Sequence, residues 1–344
     1  MKNNYLYLSL LCVGLCFPLH SCKKDKHHDP VYAFKVGLMA DVAGFNDRGF
    51  NQSALEGLVQ AAGTFPLYYE TRTGDTPDDY AIEIQYFIDN QFDLIITAGY
   101  NTAGAILDAA NANPETDFVL LDVVVDTQPA NLLCVAFDVD EASFPCGFLA
   151  AYWALKQDPG NPVTSFVGGP KIPNIEQFSV SFTHGVNWFN DMYQADVQTS
   201  GAYTADFVDT LCAAHLADSL ILGGADVVFA FAGKAGNGAL YQTKQAGKWG
   251  IGVDVDQYLT IPEVDDILLT SCMKEMRAVV FSVLEDYYRD EFNGGGVIYG
   301  NLSNQGVQMA PYHDFDSQIP DSIKAAIETI LIQIQDGTIQ TGVK

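Results

Sequence analysis

Basic residues are scarce in this chain. Its 344 residues include 17 lysines and arginines against 43 aspartates and glutamates, which gives a formal net charge of −26 at pH 7. A surface of this sign repels the phosphates of nucleic acids and of anionic membranes, so the composition argues against either as a binding partner. A small solute or another protein is the partner class that the charge leaves open.

Signatures of common catalytic and metal sites are also missing. The sequence has no GxSxG, HExxH or Walker A motif, and the glycines of "GKAGNG" at 233–238 stand in the wrong order for a GxGxxG loop. The acidic pairs at 138–141 and 254–257 lack the rest of an EF-hand loop. We therefore expect no enzyme, metal or cofactor, although a carboxylate pair acting on a glycosidic bond stays open.

Long apolar runs are confined to the N-terminus. Lys2 is followed by an apolar stretch over 5–19, the pattern of an export signal, and no later segment approaches the ~20 apolar residues of a membrane span. The stretch ends in "LHSC", which matches the bacterial lipoprotein signal, in which the thiol of Cys22 becomes diacylated. The pattern predicts a signal peptide at 1–21 and a lipidated tether at 22–32, hence a lipoprotein with palmitate on the membrane of the cell envelope, at its periplasmic or outer face. The alternative is a plain secretory signal with a chance cysteine.

The remaining cysteines show no metal-ligand spacing. Cys134, Cys146, Cys212 and Cys272 are scattered and form no CxxC pair. Although export permits disulfides, these four are more typical of small buried thiols.

Short apolar runs recur along the chain, each followed by a segment with helical spacing. The predicted strands are "FKVGLMA", "PLYYET", "FDLIITA", "FVLLDVVV", "LCVAFDV", "VTSFVGG", "VQTSGAY", "DVVFAFA", "WGIGVD" and "ILLTSCM". Apolar strands alternating with helices indicate parallel sheets covered on both faces. The series predicts an α/β protein with two doubly wound parallel-sheet lobes joined by a hinge. The first lobe takes residues 33–138 plus 275–296, and the second takes 139–274 plus 297–344.

Polar, aromatic and glycine-rich segments follow nearly every predicted strand. Ligands of open α/β sheets bind beyond the carboxyl ends of the strands. Stacking a base on an aromatic ring contributes ~1–3 kcal/mol, and a hydrogen bond to a carboxylate ~1.5–3 kcal/mol. The set predicts a cleft for a flat, hydroxyl-rich solute, against the alternative that the phenylalanines are core and the aspartates cap helices. The side chains chosen are Asn46, Asp47, Phe50, Asp122, Phe178, Asp254 and Lys274.

Seven motifs in order resemble the basic membrane lipoprotein family. Its members are lipid-anchored type I periplasmic binding proteins of ABC importers, and the best understood of them are purine nucleoside receptors. The resemblance runs from about Lys35 to the C-terminus. Its motifs are "KVGLMADVAGFNDRGFNQSALEGL", "FVLLD", "GFLAAYWAL", "FVGG", "GADVVFAFAG", "GIGVDVDQ" and "LLTSCMK", with "GVQMAP" near the end.

The resemblance implies a role for each chosen side chain. Asn46 and Asp47 would address the edge of the base, and Phe50 and Phe178 would stack on its two faces. The ribose hydroxyls would bind Asp122 and Asp254, with Lys274 as a charged donor beside them. It further implies capture of a purine nucleoside or close relative for an ABC permease, with the membrane reached only through the lipid.

Three departures from the family pattern fall in the second lobe. Ser179 replaces a glutamate after the stacking aromatic residue, Ala205 and Asp206 replace Gly-Ser, and Lys234 stands where small residues are usual. The ribose part of the implied site is therefore better supported than the identity of the base. An envelope hydrolase acting on nucleosides or sugars, and an interaction protein without a ligand, are the alternative functions.

Overall fold

The structure is a computed structural model that describes residues 32–343. The predicted signal peptide, Cys22 and the rest of the tether before residue 32 lie outside this range. Within it, no helix combines the length and the apolar character required to cross a membrane.

Twelve strands and ten α-helices alternate along the described residues. The strands are β1 (Phe34–Ala40), β2 (Leu67–Thr73), β3 (Leu94–Ala98), β4 (Asp117–Leu121), β5 (Leu132–Phe137), β6 (Val163–Gly168), β7 (Gln198–Tyr203), β8 (Val227–Phe231), β9 (Trp249–Asp254), β10 (Leu268–Lys274), β11 (Val297–Gly300) and β12 (Val307–Met309). The helices are α1 (Phe50–Ala62), α2 (Pro77–Asp89), α3 (Ala103–Ala112), α4 (Val139–Gln157), α5 (Pro173–Tyr193), α6 (Thr210–Leu222), α7 (Gly233–Gln245), α8 (Gln257–Thr260), α9 (Met276–Tyr288) and α10 (Asp321–Gln335).

The strands form two six-stranded sheets with the same internal order. The first sheet runs β11-β5-β4-β3-β1-β2 and the second runs β12-β10-β9-β8-β6-β7. All neighbours pair in parallel except β12, which is antiparallel to β10. This arrangement confirms the prediction of two parallel, doubly wound lobes.

One predicted lobe boundary is wrong. The predicted second lobe includes residues 297–344, but β11 pairs in parallel with β5 of the first sheet. The strand is only four residues long and its neighbourhood is glycine-rich, so its sequence carries little information about which sheet edge it joins.

The chain passes between the lobes at three adjacent places. These are the connection from β5 to α4, the connection from β10 to α9, and the connection from β11 to β12. Backbone hydrogen bonds join them, from the Asp138 amide to the Gly300 carbonyl at 2.8 Å and from the Glu275 amide to the Gly306 carbonyl at 2.9 Å. Three bonded connections at one edge form a hinge about which the lobes can rotate.

Helices α4 and α5 pack unusually closely. A Cβ atom added at Gly147 would overlap the Phe182 carbonyl oxygen, and one added at Gly185 would overlap the Phe144 carbonyl oxygen. Any side chain there would force the helix backbones apart. Helix α5 begins at Pro173, where proline suits the first helical turn. Its close packing against α4 fixes the position of the helix that carries Phe178 into the cleft.

Candidate ligand-binding cleft

The carboxyl ends of strands from both sheets converge on one cleft. In the first sheet, Met39 pairs with Thr97 and Ala98 with Leu121, so the residues that follow β1, β3 and β4 emerge side by side. In the second sheet Met273 pairs with Asp254, which places Lys274 next to the end of β9. The register of the two sheets thus brings distant parts of the sequence to one place.

The connection from β1 to α1 is held by a buried network of amides and a carboxylate. Asn51 donates from Nδ2 to Oδ1 of Asp41 at 3.0 Å, and Asn101 donates to Oδ2 at 2.9 Å. Asn51 is only 1% exposed, and its own Oδ1 has no hydrogen-bond partner among the described residues. A buried acceptor without a partner is costly, so a donor on a ligand would satisfy it.

Asp47 supports the start of α1. Its carboxylate accepts hydrogen bonds from the amides of Gly49, Asn51 and Gln52 at 3.1, 2.8 and 3.0 Å. Burial raises the pKa of Asp47 to about 6, although these amide hydrogen bonds oppose the shift. The helix-capping alternative therefore describes most of the bonding of Asp47, even though the residue lines the cleft.

Asp122 and Asp254 both project from strand ends in the left-handed conformation, with φ of 68° and 66°. This conformation is uncommon for residues other than glycine, although Asp and Asn tolerate it best. The predicted strand "FVLLDVVV" consequently ends at Leu121 and not at Val125, because the backbone turns at Asp122. Such a turn directs each carboxylate into the space between the lobes.

Lys274 lies between these two carboxylates. Its Nζ is 2.7 Å from Oδ2 of Asp122 and 3.5 Å from Oδ1 of Asp254, and its side chain is 6% exposed. Burial by itself would lower the pKa of Lys274, but the charges of Asp122 and Asp254 outweigh it and the net shift is upward. The lysine is therefore protonated at neutral pH and joins one carboxylate from each lobe.

Aromatic rings flank this ion triad on both sides. The Lys274 ammonium is 5.3 Å from the ring centroid of Phe50 and 5.3 Å from that of Phe178, within reach of cation–π attraction. Phe178 is 1% exposed and stacks on Phe231, with centroids 5.2 Å apart and an interplanar angle of 13°. One wall of the cleft is thus a fixed aromatic pair in the second lobe, and the other is Phe50 from the first lobe.

The cavity between the lobes has a volume of about 60 Å³ in this closed arrangement. Six of the seven residues chosen from the sequence line it. They are Asp47, Phe50, Asp122, Phe178, Asp254 and Lys274.

Asn46 is the exception among the chosen residues. It is exposed and is not part of the cleft lining, because the turn that places Asp47 under α1 leaves Asn46 on the outside. Several residues that do line the cleft were not chosen, because nothing in the local sequence distinguishes their side chains from those that only pack or cap. They include Asn51, Tyr100, Asn174, Phe207, Phe231 and Lys234.

Direct contacts between the lobes close the rim of the cleft. Arg48 pairs with Glu263 at 2.6 Å, and Thr260 donates to the Arg48 carbonyl at 2.9 Å. Asn237 donates to the Asp47 carbonyl at 3.2 Å. All three contacts join the β1–α1 connection to the second lobe, so this connection touches both the cleft and the opposing rim.

Comparison with known proteins matches nearly the whole chain. Residues 34–339 match the family model described as ABC transporter substrate-binding protein PnrA-like. A "CD4+ T-cell-stimulating antigen" of Listeria monocytogenes is 29% identical, with 95% of this chain and 93% of that protein covered. The "ABC transporter nucleoside-binding protein BmpA" of Lactococcus lactis is also 29% identical, with 96% and 97% covered.

A solved structure agrees with the fold. An ABC transporter solute-binding protein from Aeropyrum pernix superposes with a TM-score of 0.83 at 20% identity, covering 89% of this chain and 92% of that one. This likeness shows the predicted fold of a type I periplasmic binding protein. The chain belongs to the PnrA-like family of ABC transporter substrate-binding proteins, and it is accordingly a receptor for a solute and not an enzyme.

Proposed function

We propose that this receptor binds a purine nucleoside or a close relative in the cleft and delivers it to an ABC permease. The observation that carries the proposal is the position of Lys274, which touches carboxylates of both lobes and faces two phenylalanine rings. Vicinal hydroxyls are matched by Asp122 and Asp254 as acceptors and by Lys274 as a donor. A planar base is matched by the faces of Phe50 and Phe178.

Two further features support a nucleoside. The Oδ1 atom of Asn51, which has no hydrogen-bond partner within residues 32–343, offers a buried acceptor to an N–H or O–H group of the ligand. The Lactococcus lactis relative carries nucleoside binding in its name. Asn46 and Asp47 lend less support, because Asn46 is exposed and the carboxylate of Asp47 already accepts three amide hydrogens.

Binding requires the lobes to open and close. Phe178 and Lys274 are almost entirely buried, so a solute reaches them only after the rim contacts separate. Rotation about the three connections provides that motion. Outside the described residues, Cys22 would hold the receptor to the envelope membrane through its lipid, and Cys22→Ser would then move the protein from the membrane fraction to the soluble one.

Thermal unfolding with a panel of solutes tests the ligand class. A ligand at 100 times its Kd adds about 2.7 kcal/mol of stability, which shifts the melting temperature by several degrees. We expect this shift with guanosine, adenosine or inosine and none with ribose or galactose. If some other solute stabilises the protein while every nucleoside leaves it unchanged, the nucleoside assignment is wrong and the receptor function stands.

A further inference from the structure

Lys234 is the second cation of the cleft. It lies in the first turn of α7, is partly buried, and lines the cavity together with Gly233 and Phe207. The Ala235 amide donates to the Phe207 carbonyl at 2.8 Å, which fixes the start of the helix against that loop. Lys234 therefore extends from a well-anchored part of the second lobe.

Lys234 has no acceptor among residues 32–343. In the same part of the chain every other lysine and arginine has an ion pair or a hydrogen bond with a protein oxygen. These are Lys35, Arg48, Arg72, Lys156, Lys171, Lys244, Lys248, Lys274, Arg277, Arg289 and Lys324. In a protein with a net charge of −26, a cation left without a carboxylate is a distinctive feature.

Stabilisation of helix α7 does not explain why a lysine stands at position 234. Positive charge is favoured at the C-terminal end of a helix and disfavoured in its first turn, where Lys234 stands. A partly buried ammonium is normally paired, because losing water without gaining a partner is costly. Neither helix electrostatics nor an ion pair within the described structure explains the residue.

The other charges of the cleft are already engaged. Lys274 is held by Asp122 and Asp254. Asp41 accepts from two asparagine amides, and Asp47 accepts from three backbone amides. Lys234 is thus the cation of the cleft whose charge is not balanced by any carboxylate of residues 32–343.

We propose that Lys234 selects a ligand that carries an anionic oxygen group, a phosphate or a carboxylate. The inference rests on the proposed function and narrows it, since the preferred solute would be an acidic derivative of a nucleoside and not the neutral nucleoside. An anionic oxygen at Lys234 would form a charge-assisted hydrogen bond in a partly buried site, where such bonds are strong.

Calorimetric titration of matched ligand pairs tests this assignment. Guanosine is compared with its 5′-monophosphate, and adenosine with its 5′-monophosphate and its 5′-carboxylate, so that the two anionic groups are distinguished. In the wild type we expect the anionic member to bind about tenfold more tightly or better. Lys234→Met should bring the affinity ratio close to one, and Lys234→Arg should retain the preference. The preference should also weaken in high salt.

Lys171→Met is the matched control. Lys171 belongs to the same lobe and carries the same charge, but its ion pair with Glu176 lies outside the cleft lining and its side chain is 63% exposed. Its substitution should leave the ratio as in the wild type. A wild type that binds the neutral member equally well, or a Lys234→Met variant that keeps the preference, overturns the inference while nucleoside binding stands. Absence of binding by both members of each pair overturns the proposed function as well.

Discussion

Asp122 and Asp254 occupy equivalent positions in the two lobes. Asp122 follows β4 and Asp254 ends β9, and these strands hold the same place in two sheets of identical order. Both residues adopt left-handed backbone angles, and both carboxylates reach Lys274. The centre of the cleft is therefore formed by two aspartates at the carboxyl ends of equivalent strands, one from each lobe.

The unequal distances to Lys274 predict unequal effects of substitution. Asn tolerates the left-handed conformation, so Asp122→Asn and Asp254→Asn remove charge without straining the backbone. We expect each to weaken binding of a nucleoside about 10- to 100-fold, because each removes a charged acceptor. Asp122→Asn should also lower the free energy of unfolding by about 1–3 kcal/mol, and Asp254→Asn by less, because Asp122 makes the shorter contact. Calorimetry and denaturant unfolding measure both quantities, and wild-type affinity in both variants would show that the ligand lies elsewhere.

Asp47 predicts a pH dependence of stability. Its pKa is about 6 in the folded protein against 3.8 for the free side chain, so the folded state binds this proton more tightly. Stability from this group is therefore greatest below pH 3.8 and decreases as the pH rises to about 6, by roughly 3 kcal/mol in all. Asp47→Asn does not titrate, so subtracting its pH profile from that of the wild type isolates the effect. A difference that grows in favour of the wild type between pH 4 and pH 6 would contradict the prediction.

Removal of the Arg48–Glu263 ion pair should alter the closure of the two lobes and have little effect on the stability of the fold. Both side chains are substantially exposed, at 42% and 49%, so solvent and salt screen their attraction. Since the pair joins the lobes, Arg48→Met should favour the open form and weaken ligand affinity by about two- to fivefold at low salt, with almost no change in melting temperature.

Arg289→Met is the control for that experiment. It removes a partly exposed ion pair with Glu285 at the C-terminal end of α9, where the relative position of the lobes is not involved. Its ligand affinity should equal that of the wild type. Equal affinity in Arg48→Met as well would show that the rim pair has no influence on closure.

The sequence predicted the architecture well because apolar strands and helical spacing are local signals. It predicted less where tertiary contacts decide the outcome. The apolar residues after Asp122 suggested a longer β4, but the backbone turn at that aspartate ends the strand. The four residues of β11 carried no signal for the sheet that they join.

In the candidate site, too, the features with a local sequence signal were predicted and those decided by tertiary contacts were not. Phe50, Asp122, Phe178, Asp254 and Lys274 were recognisable because they follow strands or stand in quoted motifs, and all five line the cleft. Local sequence does not reveal which polar atoms are already bonded. For that reason it could not separate the capping carboxylate of Asp47 from an unbonded one, nor show that Oδ1 of Asn51 lacks a partner in the described part of the chain.

Lys274 is the last residue of β10, and Glu275 alone separates it from α9. The side chain that pairs with carboxylates of both lobes thus stands on one of the three connections between them. A solute that alters those pairs acts directly on the backbone that sets the angle of the sheets. Ligand binding and the angle between the lobes are therefore coupled. A transporter partner would recognise the loaded receptor by its outer surface, without contacting the ligand.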